Sequence, residues 1–109
     1  MAVSITHDTT SQRYVAWVDD VPAGLLEYRQ RGRDRALVHT LVEPLFEGHG
    51  VGGALVKTAL EEARADGFGI LPYCPFVHAY LAKHPGYLDL VPVERRAAFD
   101  LPAASPVPA

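Results

Sequence analysis

Apolar and polar side chains alternate along the first 42 residues, and the alternation ends just before Pro44, which cannot donate to a sheet ladder. A period of two is typical of strands with one buried face, and the β-branched and aromatic residues of this segment also favour strands. We predict four strands, near residues 2–7, 11–19, 22–30 and 34–42. The links between the later strands are short and rich in turn formers, which indicates an antiparallel meander.

The period changes to about 3.6 residues after the glycine-rich segment 47–53. Residues 54–65 then predict an amphipathic helix, which Asp66-Gly67 ends. A short apolar strand at 68–73 and a second helix at 76–83 follow. The predicted buried face of the first helix consists of Val56, Ala59, Leu60 and Ala63. The predicted fold class is therefore α/β (α+β), with a mixed, mostly antiparallel sheet and flanking helices.

Composition restricts the class of protein further. A chain of 109 residues with 49% apolar and 21% charged residues is suited to one globular domain. The net charge is −3 and the basic residues are interspersed with acidic ones, so nucleic acid is not expected as a partner. No apolar run approaches the roughly 18 residues of a membrane span. A single cysteine and a start without signal-peptide features favour a cytoplasmic location.

The periodic pattern fades near the end of the chain. From Pro92 onward the apolar residues have no regular spacing, and the last nine residues are mostly Pro and Ala. We predict a domain at residues 1–91 and a disordered Pro/Ala-rich tail at 92–109.

Four glycines precede the first helix and predict an anion-binding turn, because free backbone N–H groups and the helix dipole meet at a helix start. These glycines are Gly48, Gly50, Gly52 and Gly53. No Lys-Ser or Lys-Thr follows them, which excludes the phosphate loop of nucleoside triphosphatases. The spacing does match a dinucleotide fingerprint, but the next strand ends in Tyr73-Cys74 without an acid, and an antiparallel meander precedes the turn. Dinucleotide binding stays open as an alternative.

Several motifs together carry a family resemblance over residues 3–91. In chain order they are the strand meander, His39-Thr40-Leu41-Val42-Glu43-Pro44, the glycine turn, the long helix, Leu71-Pro72-Tyr73-Cys74-Pro75-Phe76-Val77 and His84-Pro85-Gly86-Tyr87. With these motifs the sequence resembles the small, single-domain branch of the GCN5-related N-acetyltransferases. The resemblance implies acetyl-CoA as the cofactor and transfer of its acetyl group to a primary amine, with a protein or peptide as a candidate acceptor.

The resemblance also implies which residues contact the cofactor. The family's Gln/Arg-x-x-Gly-x-Gly/Ala turn falls on residues 47–52, and Glu47 stands where most members have Gln or Arg. The backbone of the turn would bind the pyrophosphate, and the edge of the fourth strand near Leu41 and Val42 would pair with the pantetheine arm. The predicted pyrophosphate-binding residues are Gly48, His49, Gly50, Val51, Gly52 and Gly53.

Two residues are candidates for catalysis. Cys74 ends the fifth strand at a helix start, where the dipole favours a thiolate, so it is a nucleophile, an acid for the leaving thiol, or an inert packing residue. His39 is a candidate base on the fourth strand. Tyr80 and Tyr87 are alternative proton donors. The five histidines and the lone cysteine lack the spacing of a metal site, so no metal is predicted.

The identity of the acceptor stays open in the sequence. The small branch lacks the two helices that larger members place after the first strand, so the acceptor site is expected to be open or shared with a partner. The oligomeric state does not follow from the sequence. A non-enzymatic acyl-CoA-binding or partner-binding module is the main alternative to an enzyme.

Overall fold

The computed structural model describes residues 2–102, which form one five-stranded sheet and two α-helices. The strands and helices, in chain order, are β1 Val3–Asp8, β2 Arg13–Val18, β3 Val21–Arg31, β4 Asp34–Val42, α1 Val51–Asp66, β5 Gly69–Pro72 and α2 Pro75–Lys83. Short 3-10 helices lie at Pro44–Phe46, Pro85–Leu90, Val93–Arg95 and Ala97–Phe99. The predicted fold class is confirmed.

The sheet has the order β1-β2-β3-β4-β5, with antiparallel pairs from β1 to β4 and a parallel pair between β4 and β5. α1 connects the parallel pair, as a crossover connection requires. This arrangement differs from the doubly wound parallel sheet to which the dinucleotide fingerprint belongs. The dinucleotide alternative therefore lacks its structural context within the described residues.

Both helices pack on the same face of the sheet, which we call the inner face. The inner residues of β2 are Tyr14, Ala16 and Val18, and all three are buried. The stripe of α1 that was predicted from sequence spacing is also buried, at Val56, Ala59, Leu60 and Ala63. α2 adds Val77 and Leu81 to the same core cluster. α1 begins at Val51, three residues before its predicted start, because two glycines in its first turn masked the helical pattern.

The opposite face of β1–β4, which we call the outer face, is only partly covered. Val15, Trp17 and Leu25 are half-buried there, and Leu41 is 42% exposed. None of these residues belongs to the core cluster under the helices. The inner and outer faces of this sheet therefore differ strongly in burial.

A bulge in β4 changes which residues face the core. Tyr28 pairs with Leu37 and Glu27 pairs with His39, so Val38 is an extra residue in β4. Leu37 is fully buried on the inner face, and Thr40, opposite Leu26, is the next β4 residue on that face. The bulge thus moves the inner-face position from residue 39, where simple alternation would put it, to residue 40.

A buried polar network joins the sheet to the C-terminal half of α1. Arg35 is 7% exposed and donates through Nη1 to the hydroxyl of Tyr14 at 2.9 Å. That hydroxyl donates to Glu62 Oε1 at 3.3 Å, which also lies 2.9 Å from His7 Nδ1. His7 Nε2 and the Tyr28 hydroxyl are 2.6 Å apart. Burial raises the pKa of Tyr14 and of Tyr28, so both hydroxyls keep their protons at neutral pH.

The chain after Val91 contacts the body of the domain. Arg96 is buried and donates through Nε to the carbonyl oxygen of Val91 at 3.0 Å. The carbonyl oxygen of Phe99 lies 2.7 Å from His78 Nε2 on α2, and Leu101 packs on the core cluster. The domain boundary after residue 91 and the disordered tail stay predictions. Residues 103–109 of that tail lie outside the described residues.

None of the helices in the described part of the chain combines enough length and apolar character to cross a lipid bilayer.

The polar network predicts unequal costs for two conservative substitutions. Tyr14→Phe removes the acceptor of a buried guanidinium, and we expect it to lower the free energy of unfolding by about 1–3 kcal/mol. Tyr87→Phe is the matched control, because it removes a hydroxyl that donates to Glu61 of the same helix at the protein surface. We expect it to cost at most about 1 kcal/mol. Urea unfolding curves of the two variants measure the difference, and equal losses would contradict the buried network.

Candidate functional site

A cavity of about 410 Å³ lies where the N-terminus of α1 meets the end of β4 and the start of α2. β4 contributes Thr40 and Val42 to its wall, and the 3-10 helix after β4 contributes Phe46. The remaining lining residues are Glu47, Gly48, Gly50, Val51, Gly52, Gly53 and Phe76. The cavity thus brings together most of the residues that the sequence predicted for cofactor binding.

The glycine turn contains two residues with left-handed backbone conformation. Gly48 and Gly50 have φ angles of 81° and 77°, in the left-handed region that residues with a Cβ adopt at a cost. Gly50 is the N-cap of α1, and no side chain caps this end of the helix. The first N–H groups of α1 therefore remain available to an anion, and the positive end of the helix dipole points the same way.

The wall opposite the turn is aromatic and was not predicted. A methyl group on Gly52 would come within 2.7 Å of the Phe76 ring, so the ring packs directly against the first turn of α1. Phe46 is buried on the other side of the cavity. Among residues 2–102, Glu47 is the only ionisable residue that lines it. The sequence analysis noted Phe76 only as part of a family motif, because no local sequence pattern indicates that α2 packs against α1.

A gap between β4 and β5 forms the floor of the cavity. The parallel pairing of these strands ends at Leu37 and Pro72, and the N–H of Cys74 donates the last bond to the carbonyl oxygen of Leu37 at 2.8 Å. Beyond this point β4 continues to Val42, whereas the chain after Cys74 turns into α2. The strands therefore separate as the resemblance implied.

Cys74 lies at the point of separation and is only 4% exposed. Its Sγ is 3.3 Å from Oγ1 of Thr40, which crosses the gap from β4. Cys74 is also the N-cap of α2, whose first residue is Pro75. Thr40, which lines the cavity, was missed by the sequence analysis because the bulge decides which way its side chain faces.

Four predicted site residues do not line the cavity, and one of them, Cys74, contacts its wall residue Thr40. His39 and Leu41 are exposed on the outer face of β4. His49 is exposed in the glycine turn, and its side chain does not line the cavity. The structure therefore groups Cys74, Val42 and the glycines, and it separates them from His39 and Leu41.

The two candidate tyrosines differ in their surroundings. The ring of Tyr80 lies 3.9 Å from the position of a methyl group on Gly53 and stacks on His84 at 4.0 Å. Burial raises the pKa of Tyr80. The Tyr87 hydroxyl donates to Glu61 at 2.6 Å, and this bond raises the pKa of Tyr87 to about 12. Tyr80 is thus the nearer of the two to the cavity.

No group of three or more His, Cys, Asp or Glu residues within 2–102 has the arrangement of a metal site.

Comparison with known proteins places this architecture in a family. A family model described as GCN5-related N-acetyl-transferase matches residues 13–90, which is more than two thirds of the chain. The chain therefore belongs to the GCN5-related N-acetyltransferase family. A comparison with curated proteins gives no match.

A solved structure shares this fold. The chain is similar to a GCN5-like N-acetyltransferase candidate from Staphylococcus aureus, with 24% identity, a TM-score of 0.65, and 82% of this chain and 87% of that chain covered. It is also similar to nourseothricin acetyltransferase, with 35% identity over 53% of this chain and 36% of that chain, at a TM-score of 0.46. The PaiA N-acetyltransferase from Thermoplasma acidophilum in complex with coenzyme A gives 18% identity, a TM-score of 0.48 and coverage of 51% and 35%. The last two likenesses are partial.

Family membership confirms part of what the sequence predicted. The cofactor is acetyl-CoA or CoA, and the family supports acetyl transfer as the general activity. The acceptor, the individual site residues, the cytoplasmic location and the domain boundary after residue 91 stay predictions.

The conformation of the glycine turn predicts opposite effects for two Gly→Ala substitutions. Gly50→Ala places a Cβ in the left-handed region, and we expect a loss of about 1 kcal/mol in the free energy of unfolding. Gly53→Ala changes a helical residue whose nearest neighbour is 3.9 Å away, and we expect a gain of about 0.5–1 kcal/mol. Urea unfolding measures both values. A shift of the same sign in the two variants would contradict this turn geometry.

Proposed function

We propose that this chain binds acetyl-CoA in the cavity at the start of α1 and transfers the acetyl group to a primary amine, with Cys74 at the reacting thioester. One observation carries the proposal: a single cavity runs from an uncapped, glycine-lined helix start to Thr40, which contacts a buried cysteine. The glycine-lined end suits a pyrophosphate, and the end at Thr40 suits a thioester.

The pyrophosphate is assigned to the backbone of residues 48–53. A phosphate needs a close approach to backbone N–H groups, which glycine allows because it has no Cβ. The cavity wall has no lysine or arginine, so these amides and the helix dipole supply the attraction. Glu47 opposes this attraction, because its carboxylate repels the negatively charged pyrophosphate.

The pantetheine arm is assigned to the free edge of β4. A methyl group on Gly24 would lie 2.6 Å from the carbonyl oxygen of Leu41, so this carbonyl points toward β3. The N–H of Glu43 also bonds β3, through the carbonyl oxygen of Ala23 at 2.8 Å. Because backbone groups alternate in direction along a strand, those of Thr40 and Val42 face the gap. They are placed to pair with the amides of pantetheine.

The proposed reaction has two steps. The Cys74 thiolate attacks the thioester carbonyl carbon, a Cys74 S–C bond forms, the CoA S–C bond breaks, and CoA leaves as a thiolate that takes up a proton. The neutral amine then attacks the acetyl-cysteine, an N–C bond forms, and the Cys74 S–C bond breaks to return the thiolate. The amine nitrogen gives its extra proton to a base. Tyr80 is the proposed proton donor to CoA.

The outer face of the sheet supports a large acceptor. Neither α1 nor α2 covers this face of β1–β4, which leaves exposed strand surface near the end of β4 for a protein or peptide. His39 lies on this face and is exposed, which suits the proposed base for an arriving amine. A non-enzymatic partner-binding module would use the same open face, and acetyl turnover separates the two functions.

Removal of the Glu47 charge tests the pyrophosphate assignment. We expect Glu47→Gln to tighten CoA binding about two- to fivefold at low salt, because a repulsive carboxylate is lost, and the gain to shrink as salt screens it. Glu43→Gln makes the same charge change outside the cavity wall and serves as the control. Titration calorimetry with CoA and with pantetheine, which lacks the pyrophosphate, measures the effect. An equal gain for pantetheine, or for Glu43→Gln, would contradict the assignment.

Substitution of Cys74 tests the transfer. Serine is a far poorer nucleophile than cysteine at neutral pH, so we expect Cys74→Ser to slow acetyl transfer by at least about 100-fold while CoA affinity changes less than about twofold. Cys74→Ala should be no more active. Intact-protein mass spectrometry of the parent, exposed to acetyl-CoA without an acceptor, should show an acetyl adduct that both variants lack.

Parental transfer rates in both Cys74 variants would make Cys74 a packing residue. The amine would then attack the thioester directly, with His39 or solvent as the base. CoA binding without transfer to any amine would instead support the binding-module alternative.

A further inference from the structure

Thr40 is the only side chain among the described residues that hydrogen-bonds the sulfur of Cys74. Its Oγ1 is 3.3 Å from Sγ, although the two residues are 34 positions apart in the chain. Thr40 also lines the cavity, so its hydroxyl lies between the ligand space and the thiol. The bulge at Val38 places it there, because simple alternation from Leu37 would put residue 39 on the inner face instead.

The backbone of Cys74 is held on both sides. Its N–H donates to the carbonyl oxygen of Leu37 at 2.8 Å, and its carbonyl oxygen accepts from the N–H of His78 at 3.0 Å. The side chain then has only one torsion that moves the sulfur, and the sulfur is almost fully buried. A single contact from Thr40 is therefore enough to select the position of Sγ.

We propose that Thr40 is a positioning residue, whose hydroxyl holds the Cys74 sulfur at the floor of the cavity and donates a hydrogen bond to it when it is a thiolate. This inference rests on the proposed function. The inference adds that the Thr40 hydroxyl, on the neighbouring strand, activates Cys74.

The chemistry of the two groups supports this direction of donation. A thiol and a hydroxyl can each donate, but a thiolate has only lone pairs, so Thr40 must be the donor once Cys74 loses its proton. A donated hydrogen bond stabilises the charged form of its acceptor.

Ionisable groups around Cys74 have other partners or other positions. His78, one turn along α2, lies 2.7 Å from the carbonyl oxygen of Phe99. Tyr73, which precedes Cys74, accepts a bond from Arg95 at 3.1 Å. Glu47 stands at the glycine turn, and His39 is on the outer face of β4. Thr40 is thus the neighbour that supplies a donor to the sulfur.

Two substitutions separate the hydroxyl from the shape of Thr40. Thr40→Val keeps the branched shape and removes the donor, whereas Thr40→Ser keeps the donor and removes a methyl group. If the hydroxyl acts as proposed, acetyl-CoA acetylates Cys74 at least about tenfold more slowly in Thr40→Val than in the parent. In Thr40→Ser the acetylation rate stays within about threefold of the parental rate. A packing role gives the opposite order, because valine fills the space and serine leaves a void.

The experiment uses two reagents with the full chain. Single-turnover acetylation by acetyl-CoA is followed by intact-protein mass spectrometry, and alkylation by iodoacetamide is measured on the protein without cofactor. We expect the same order of rates with both reagents, equal CoA affinities, and equal alkylation rates for all three proteins in urea.

Specific outcomes overturn the inference. Parental rates in Thr40→Val, or equal losses in the two variants, would show that the hydroxyl does not act on the sulfur. A parent whose Cys74 is neither acetylated nor alkylated would overturn it as well. If the alkylation rates of the three proteins follow the proposed order but Cys74 is never acetylated, the proposed function fails while the role of Thr40 is retained.

Discussion

The separation of β4 from β5 is the constraint on which the rest of this site depends. The hydrogen bond from Cys74 to Leu37 is the last one between the two strands, and the bulge at Val38 follows it directly on β4. From there the free edge of β4 and the start of α2 diverge, and the space between them is the cavity. The same bulge turns Thr40 inward onto Cys74. One extra residue in β4 therefore turns Thr40 onto Cys74, directly beside the point where the strands separate.

The two ends of α1 differ: one is fixed to the sheet by polar contacts, and the other is uncapped and is the end proposed to bind the ligand. The C-terminal half of the helix is fixed to the sheet by the network of Glu62, Tyr14, His7 and Arg35, in which buried polar groups have partners. The N-terminal end has no side-chain cap and begins with glycines in the left-handed region. A helix held firmly at one end can leave its other end unsatisfied, because the burial of its apolar stripe supplies the stability.

Much of the fold was predictable, and less of the site was. The strands, the helices and the apolar stripe of α1 follow from spacing alone, as does the glycine turn at its start. Phe46, Phe76 and Thr40 were not recognised as cavity residues. Each lies on a different element, and their approach to one another depends on the pairing register and on helix packing. The contacts of residues 93–99 were not predictable for the same reason, since their partners, such as His78 and Val91, lie on other parts of the fold.

The sequence by itself determined which segments are strands and helices, because the period of apolar residues and the chemistry of turns act over a few residues. It also determined where a backbone could approach a phosphate, because only glycine adopts the conformations at residues 48 and 50 without strain. Only the tertiary structure decided that His39 faces outward, that Thr40 faces Cys74, and that the outer sheet face is only partly covered. The directions of His39 and Thr40 depend on a single extra residue in β4, whose position is set by pairing with β3 and by contacts between residues far apart in the chain.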